Sequence, residues 1–162
     1  MTAAVSKATA GPTASQHLAE FASKFRYEDI PQDTRERAKL LMLDAIGIAY
    51  ASTRYDFAHR VLTGLNAMNE GGGSSLIGLP GKLALRDAVI MNGVLVHGLD
   101  YDDTHVRAII HATASAFPCA FGVAEATNAS GADLLAAYIL GMEVATRISD
   151  AAGGQFHDCL LY

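Results

Sequence analysis

Apolar side chains recur at helical spacing along most of this 162-residue chain. After Pro31, apolar residues stand at positions 38, 41, 42, 45, 46 and 49, so a helix would present all of them on one face. Aromatic residues make up only 7% of the chain and tryptophan is absent, so the core must consist mainly of small and aliphatic side chains. Such side chains favour closely packed helices. We therefore predict an all-α, multi-helix bundle.

Caps and breakers mark where the helices begin and end. Thr13 and Pro31 are typical of helix starts, and the glycine run at 71–73 ends a third helix. Two further helices are predicted on either side of a polar stretch near position 100. A last helix covers 131–152, with Asp133 near its start and Arg147 near its end, as the helix dipole favours. The segment SLIGLPGK (75–82) is short and β-like.

We divide the chain into a flexible leader, residues 1–12, and a single helical domain, residues 13–162. The leader is rich in small residues and ends before the first helix cap. The C-terminal stretch GGQFHDCLLY ends on an apolar run, whereas a domain normally ends in a polar segment. Either these last side chains pack against something, or the domain is cut short.

The composition excludes several functional classes. Hydrophobic residues make up 51% of the chain and charged residues 18%, which indicates a packed globule. The net charge is −5 and there is no basic stripe to neutralise phosphates, which excludes nucleic acid as a partner. Apolar runs are interrupted before they reach membrane-spanning length, and the N-terminal stretch lacks a secretory core. We therefore predict a cytoplasmic protein, with Cys119 and Cys159 reduced and buried.

One short stretch, HGLDYDDTHVRAIIH (97–111), gathers three histidines, three aspartates and a threonine in an otherwise apolar chain. Three interpretations are open for this polar bend. It is a metal site, an acid–base site for a small anionic substrate, or a polar loop whose aspartates cap two helices.

The metal interpretation finds little support in spacing. A calcium loop that starts at Asp100 would place His105 at the obligatory turn glycine and His111 at the bidentate glutamate, so it is not an EF-hand. A transition-metal site from His97, Asp103, His105 and His111 is chemically possible. However, the sequence contains neither HExxH nor CxxC. The LIGLPGKL segment also fails as a phosphate-binding loop, because Leu stands where Ser or Thr is required. We expect no metal.

The acid–base interpretation rests on crowded carboxylates beside imidazoles. Three carboxylates within four residues repel one another, which favours retention of a proton on one of them. A histidine exchanges protons near neutral pH. Thr104 offers a hydroxyl to a substrate, and Thr113 and Ser115 follow where a helix start would present free N–H groups to an anion.

The stretch DAVIMNGVLVHGLDYDDTH (87–105), followed by HATASAFPCAFGVAEA (111–126), resembles the MmgE/PrpD family. Upstream, RERAKLLMLDAIGIAYA (35–51) is similar to the family's second helix. GADLLAAYILGMEVATRI (131–148) is similar to the helix after the motif. The resemblance covers almost the whole chain, from His17 to Arg147.

The resemblance implies an all-α domain that dimerises, with a cleft closed by a separate lid domain. Family members act on small di- or tricarboxylates without a metal or other cofactor, and move a proton at the carbon next to a carboxylate. At the matching positions, Asp100 and Thr104 would orient the substrate. His111 would contact the substrate and transfer the proton.

The remaining polar residues of the bend receive supporting roles from the same resemblance. Asp103 and His105 would support the residues that touch substrate, and His97 would pack behind the bend. Arg107 is the cation that the bend offers to a substrate carboxylate. Family chains are roughly three times as long by two-domain arithmetic. Their Gly-Phe-His-x-Thr-Gly motif is expected where this sequence reads FHDCLLY, and their lid is missing.

Two functional hypotheses follow. The first is a lyase or isomerase that dehydrates, decarboxylates or epimerises a small organic polycarboxylate, with the missing groups supplied by a second chain or by further sequence. The second is a non-catalytic helical module that dimerises or completes another chain's site. A reduced family member reused for another isomerisation or cyclisation is a third, weaker alternative.

Overall fold

The computed structural model describes residues 11–68 and 70–153, and most of this part of the chain is helical. Most of the predicted leader, residues 1–10, and the apolar tail, residues 154–162, lie outside it. The elements in chain order are α1 (Ala14–Lys24), a 3-10 helix (Tyr27–Asp29), α2 (Gln32–Ser52), α3 (Asp56–Met68), β1 (Ser74–Ser75), β2 (Lys82–Leu83), α4 (Leu85–His97), α5 (Thr113–Thr127) and α6 (Gly131–Ala151). The predicted all-α class is confirmed.

The helix starts follow the capping residues of the sequence. Thr13 caps α1 in a capping box with Gln16, and Pro31 stands immediately before α2. Ser130 forms the equivalent box with Asp133 at the start of α6. Each box satisfies backbone N–H groups that have no partner within the helix. These starts agree with the sequence prediction.

Helix α4 lies at the centre of the bundle and packs against α2, α3 and α5. Its residues Met91, Leu95 and Val96 are completely buried, and they meet Ala45 and Ala49 among the buried residues of the same core. The core is therefore built from aliphatic and small side chains, as the composition predicts. This packing fixes the end of α4, where the polar bend begins.

Small residues allow α4 and α5 to approach closely. A Cβ atom at Gly122 of α5 would lie 2.7 Å from the side chain of Val89 on α4. A Cβ atom at Gly93 of α4 would lie 3.2 Å from the carbonyl oxygen of Ala114 on α5. Pro118 stands inside α5, beyond its first turn. Because proline has no N–H group, it cannot donate the helical hydrogen bond to the Ala114 carbonyl.

The β-like segment predicted at 75–82 is the turn of a small antiparallel hairpin, and the strands lie at its two ends. Asn92 of α4 anchors the hairpin from below. Its side-chain oxygen accepts a hydrogen bond from the Ile77 backbone N–H (2.9 Å), and its amide donates to the Ser75 carbonyl (3.0 Å). Because Asn92 is 1% exposed, these bonds satisfy a buried amide.

The structure tests the prediction that the two cysteines are buried. Cys119 is exposed, so the expectation that it is buried is wrong, and Cys159 lies outside the described residues. The thiol of Cys119 is on the α5 side of an apolar groove between α5 and α6, where small side chains leave it uncovered.

Among residues 11–68 and 70–153, none of the helices has the length and apolar character needed to cross a membrane.

Candidate active site

The polar bend connects the end of α4 to the start of α5. His97 is the last residue of α4, and the Asp100 backbone N–H donates to the His97 carbonyl (2.8 Å) to close the first turn. Asp100 has a φ of 55°, a left-handed conformation that Asp tolerates better than most residues. A second tight turn joins His105 to Ile110 through one backbone hydrogen bond of 2.9 Å. The two turns fold the bend back over the ends of both helices.

Four side chains of the bend meet in one group, which we call the His–Asp cluster: His97, Asp100, Asp102 and His111. One potential ligand atom from each lies within 4.8 Å of the others. Asp102 is the buried centre, since its side chain is 1% exposed. The two imidazole rings lie beside it with their centroids 4.9 Å apart.

The Asp102 carboxylate contacts both imidazoles. Its Oδ1 and Oδ2 atoms lie 3.0 and 3.2 Å from Nδ1 of His97, which is hydrogen-bond distance for both oxygens. Nδ1 of His111 lies 3.4 Å from the same Oδ1 atom. The second contact is close enough for an ion pair, but its geometry is not that of a hydrogen bond. Nδ1 of His111 is buried and has no hydrogen-bond partner among the described residues.

Asp100 and His111 form the outer side of the cluster. Oδ1 of Asp100 lies 3.7 Å from Nε2 of His111, which is too long for a hydrogen bond. The Asp100 side chain is 80% exposed and that of His111 is 31% exposed. The Nε2 atom of His111 and the Asp100 carboxylate therefore face a side of the cluster that a small molecule can reach.

Asp103 and Thr113 connect the bend to the helices beneath it. Oδ1 of Asp103 accepts a hydrogen bond from the Thr113 backbone N–H (3.3 Å) at the first residue of α5. The Thr113 hydroxyl in turn lies 2.7 Å from the hydroxyl of Tyr138 on α6. Burial raises the pKa of Tyr138 to about 12, against the opposing effect of the Thr113 hydrogen bond. The phenol is therefore a neutral structural partner near pH 7.

The other predicted residues lie around the second turn. Nδ1 of His105 accepts a hydrogen bond from the Ala108 backbone N–H (3.0 Å), and Thr104 is exposed. The Arg107 side chain forms two hydrogen bonds to Asp150 on α6, the Nε bond being 2.8 Å long. The bonds from Arg107 lower the pKa of Asp150 and raise that of the guanidinium.

The structure thus brings together three of the predicted residues, His97, Asp100 and His111. It leaves Thr104 on the exposed part of the bend and engages Arg107 with α6 instead. The roles predicted for all of these residues toward a substrate stay predictions. The capping interpretation fits Asp103, whose carboxylate bonds to the start of α5, but it does not fit Asp102.

Asp102 is the residue that sequence reasoning missed. Three aspartates stand within four positions, and the sequence does not show which of them turns inward. The choice depends on the left-handed Asp100, which reverses the chain so that Asp102 faces the space between His97 and His111. Glycine is the usual residue for that conformation, so a composition-based search for a turn would overlook it.

The His–Asp cluster offers two nitrogen and two oxygen ligands, a set that suits a first-row divalent cation. It differs from the set considered from the sequence, because Asp100 and Asp102 replace Asp103 and His105. The same spacing also suits carboxylate–imidazole hydrogen bonds, which the His97–Asp102 contact shows directly. The arrangement is therefore suited either to bind a cation or to transfer a proton.

A profile of the MmgE/PrpD N-terminal domain matches residues 16–160 of this chain. The chain belongs to the MmgE/PrpD family. Cis-aconitate decarboxylase of Aspergillus terreus is 31% identical over 154 residues, which cover 92% of this chain and 31% of that protein. Cis-aconitate decarboxylase of Mus musculus is 32% identical over 117 residues, which cover 69% of this chain and 24% of that protein.

A third MmgE/PrpD relative is a cis-aconitate decarboxylase-like protein of Aspergillus oryzae. It is 26% identical over 157 residues, which cover 93% of this chain and 33% of that protein. The chain therefore spans about a third of the length of the curated Aspergillus relatives that it matches. The resemblance stated from the polar bend is confirmed at the level of the family.

Proposed function

We propose that this chain carries the proton-transfer site of an MmgE/PrpD lyase or isomerase that acts on a small organic polycarboxylate. The single observation behind the proposal is the position of His111. Its Nδ1 atom faces the buried Asp102 carboxylate, and its Nε2 atom faces the accessible side beside Asp100. An imidazole in this position has one ring nitrogen directed at a carboxylate and the other available to a substrate, which is the arrangement that general acid–base catalysis uses.

The proposed reaction moves a proton at the carbon next to a carboxylate. In an epimerisation, His111 accepts the proton from the C–H bond, and a proton from solvent returns to the opposite face of the same carbon. In a dehydration, His111 accepts the proton, the electron pair of the C–H bond forms the C=C double bond, and the C–O bond breaks so that the hydroxyl group leaves as water with a proton from solvent. In a decarboxylation, the bond to the departing CO2 breaks, its electron pair moves into the remaining conjugated acid, and protonated His111 donates a proton to carbon. Asp100 and Thr104 orient the substrate by accepting and donating hydrogen bonds. The names of the relatives favour cis-aconitate as a first candidate substrate.

The charge balance of the bend favours a second polypeptide as part of the working site. A substrate with two or three carboxylates needs paired cations. The bend contributes Asp100, Asp102 and Asp103, whereas Arg107 is bonded to Asp150. We propose that the missing positive charge comes from a second chain, either another copy or a completing subunit, in a cytoplasmic assembly.

The test is turnover of cis-aconitate and 2-methylcitrate, followed by product analysis, with the purified protein alone and together with the product of a neighbouring gene as a candidate completing subunit. We expect turnover by the wild type and loss of at least a hundredfold in His111→Ala, in line with removal of a general acid–base group. His59→Ala, an exposed histidine on α3, is the matched control and should keep the wild-type rate. An unchanged rate in His111→Ala would remove the proposed role. Because the proposed proton transfer needs no metal, a chelator should also leave the rate unchanged.

The non-catalytic alternative is favoured by one feature, an exposed apolar surface beside the bend. Leu40 and Leu43 on α2 are 58% and 65% exposed, and Tyr101 of the bend is 77% exposed. Exposed apolar side chains that adjoin one another are typical of protein interfaces. Under this alternative the surface binds a second copy of the chain. Leu43→Glu should then convert a dimer to a monomer in sedimentation experiments, whereas a wild-type monomer would contradict it.

A further inference from the structure

We infer that Asp102 is a positioning residue, which holds the His97 and His111 imidazoles with Nδ1–H directed inward and Nε2 directed outward. The inference rests on the proposed function in one respect, since it makes Nε2 of His111 the atom that exchanges the proton. Nothing in the sequence resemblance assigns Asp102 a role, because the resemblance concerned Asp100, Thr104 and His111.

The contacts of Asp102 support this role. Its side chain is 1% exposed, and the buried carboxylate lies 3.0 Å from Nδ1 of His97 and 3.4 Å from Nδ1 of His111. A carboxylate accepts hydrogen bonds and donates none when ionised. An N–H group on Nδ1 of His97 therefore satisfies the aligned contact, and we infer that His111 likewise carries its proton on Nδ1, the ring nitrogen that faces the same carboxylate. One carboxylate with two oxygens has the capacity to accept from both.

His111 depends on Asp102 more than His97 does. Nδ1 of His111 is fully buried without an aligned partner among the described residues, whereas His97 has an aligned bond and a side chain that is 51% exposed. A buried N–H group left without an acceptor is destabilising, because no hydrogen bond compensates for its loss of water. The Asp102 Oδ1 atom at 3.4 Å is within reach of a small ring rotation that closes the bond.

The outward side of His111 is left free by the same arrangement. Nε2 lies 3.7 Å from the exposed Asp100 carboxylate, beyond hydrogen-bond range. A neutral imidazole has one N–H group and one lone pair. With the proton on Nδ1, the lone pair is on Nε2 and faces the side that a substrate can reach. Asp102 thus selects the atom of His111 that acts as base.

The substitution Asp102→Asn tests the assignment because it nearly preserves the shape while changing the hydrogen-bonding capacity. The asparagine amide can donate to Nδ1, which favours the tautomer with the proton on Nε2 and removes the outward lone pair. Wrong-tautomer variants of an established carboxylate–histidine pair in a protease lose about 10⁴-fold in turnover. We expect a loss of 10²- to 10⁴-fold here if His111 exchanges the substrate proton.

The direct readout is the tautomer of each histidine, measured by long-range 1H–15N correlation on the full chain labelled with 15N-histidine. His111→Gln identifies the His111 signals by their disappearance. We expect the Nδ1–H form for His111 in the wild type and in Asp102→Glu, and the Nε2–H form in Asp102→Asn. Asp87→Asn is the matched control, since Asp87 is a buried aspartate of α4 bonded to Arg86 outside the cluster. It should leave the His111 spectrum unchanged.

The outcomes separate this inference from the proposed function. An Nε2–H form of His111 in the wild type, or an unchanged form in Asp102→Asn, would overturn the inference whatever the protein catalyses. The expected tautomers in a wild type that turns over none of the candidate acids would support the inference and contradict the proposed function. If Asp102→Asn fails to fold, the wild-type and Asp102→Glu spectra still decide the tautomer.

Discussion

The hydroxyl groups of Thr113 and Tyr138 lie 2.7 Å apart in the interior of the protein, where both residues are at most 2% exposed. This bond joins the first residue of α5, which follows the polar bend, to the middle of α6. Tyr138→Phe removes one partner and leaves a buried hydroxyl on Thr113. We expect the free energy of unfolding in urea to fall by about 1–2 kcal/mol. Tyr101→Phe, at an exposed tyrosine, should change it by less than about 0.5 kcal/mol.

The same tyrosine predicts a loss of stability at alkaline pH. Burial raises the pKa of Tyr138 in the folded protein to about 12, from an ordinary value of 10.0. The neutral phenol therefore contributes its full stability below pH 10, and this contribution is lost as the pH rises toward 12. Between pH 9 and about 11, the free energy of unfolding in urea should fall more steeply with rising pH for the wild type than for Tyr138→Phe. Parallel declines would contradict the raised pKa.

Glu125 predicts the opposite pH dependence. Its carboxylate accepts hydrogen bonds from the Ser75 hydroxyl (2.5 Å) and backbone N–H (2.7 Å), which lower its pKa, and Lys82 acts in the same direction. The stabilisation is present above the ordinary value of 4.5 and is lost as the pH falls through the lower, folded value. Glu125→Gln should cost about 1 kcal/mol at pH 7, and less in acid.

Thermal or urea unfolding of Glu125→Gln at several pH values measures this difference. Glu143→Gln is the control, because Glu143 forms an exposed pair with Arg147 one helical turn away on α6. Such surface pairs contribute a few tenths of a kcal/mol. An equal decrease in the free energy of unfolding for both variants would show that the contact of Glu125 with the hairpin stabilises the fold no more than an exposed surface pair does.

The junction between α4 and the bend predicts a steric effect. A Cβ atom at Gly98 would lie 2.3 Å from the Phe57 ring and 2.8 Å from the Val94 carbonyl oxygen. Gly98→Ala therefore forces Phe57 or the end of α4 to move, and we expect a loss of about 1–3 kcal/mol in urea unfolding. Gly131→Ala is the control, since a Cβ atom there meets nothing within 4 Å. A Gly98→Ala protein as stable as the control would contradict the packing described here.

The fold could be predicted from the sequence because its strongest signals are local. Thr13 and Pro31 stand where helices begin, and apolar spacing alone indicates which face of α2 turns inward. Pro118 shows where local rules stop. It stands inside α5, beyond the first turn where proline is best tolerated, and α5 packs closely against α4 despite the missing hydrogen bond. No local signal in the sequence reports that packing.

The candidate site could be predicted only in part. The motif brought out Asp100 and His111, but the burial of Asp102 depends on a backbone reversal at Asp100 and on the positions of two helix ends. Arg107 shows the same limit, because its partner Asp150 stands 43 positions away on α6. Long-range pairing of polar side chains is a property of the tertiary structure, and residue spacing does not encode it.

The most direct test of the proposed proton transfer is deuterium incorporation from solvent into an organic acid. The purified protein is incubated with cis-aconitate in D2O, and NMR follows deuterium at the carbon next to a carboxylate in substrate and product. We expect incorporation with the wild type, and a loss of at least a hundredfold with His111→Gln at unchanged stability. Deuterium incorporation at equal rates in the two proteins would contradict the assignment of His111 as the group that transfers the proton.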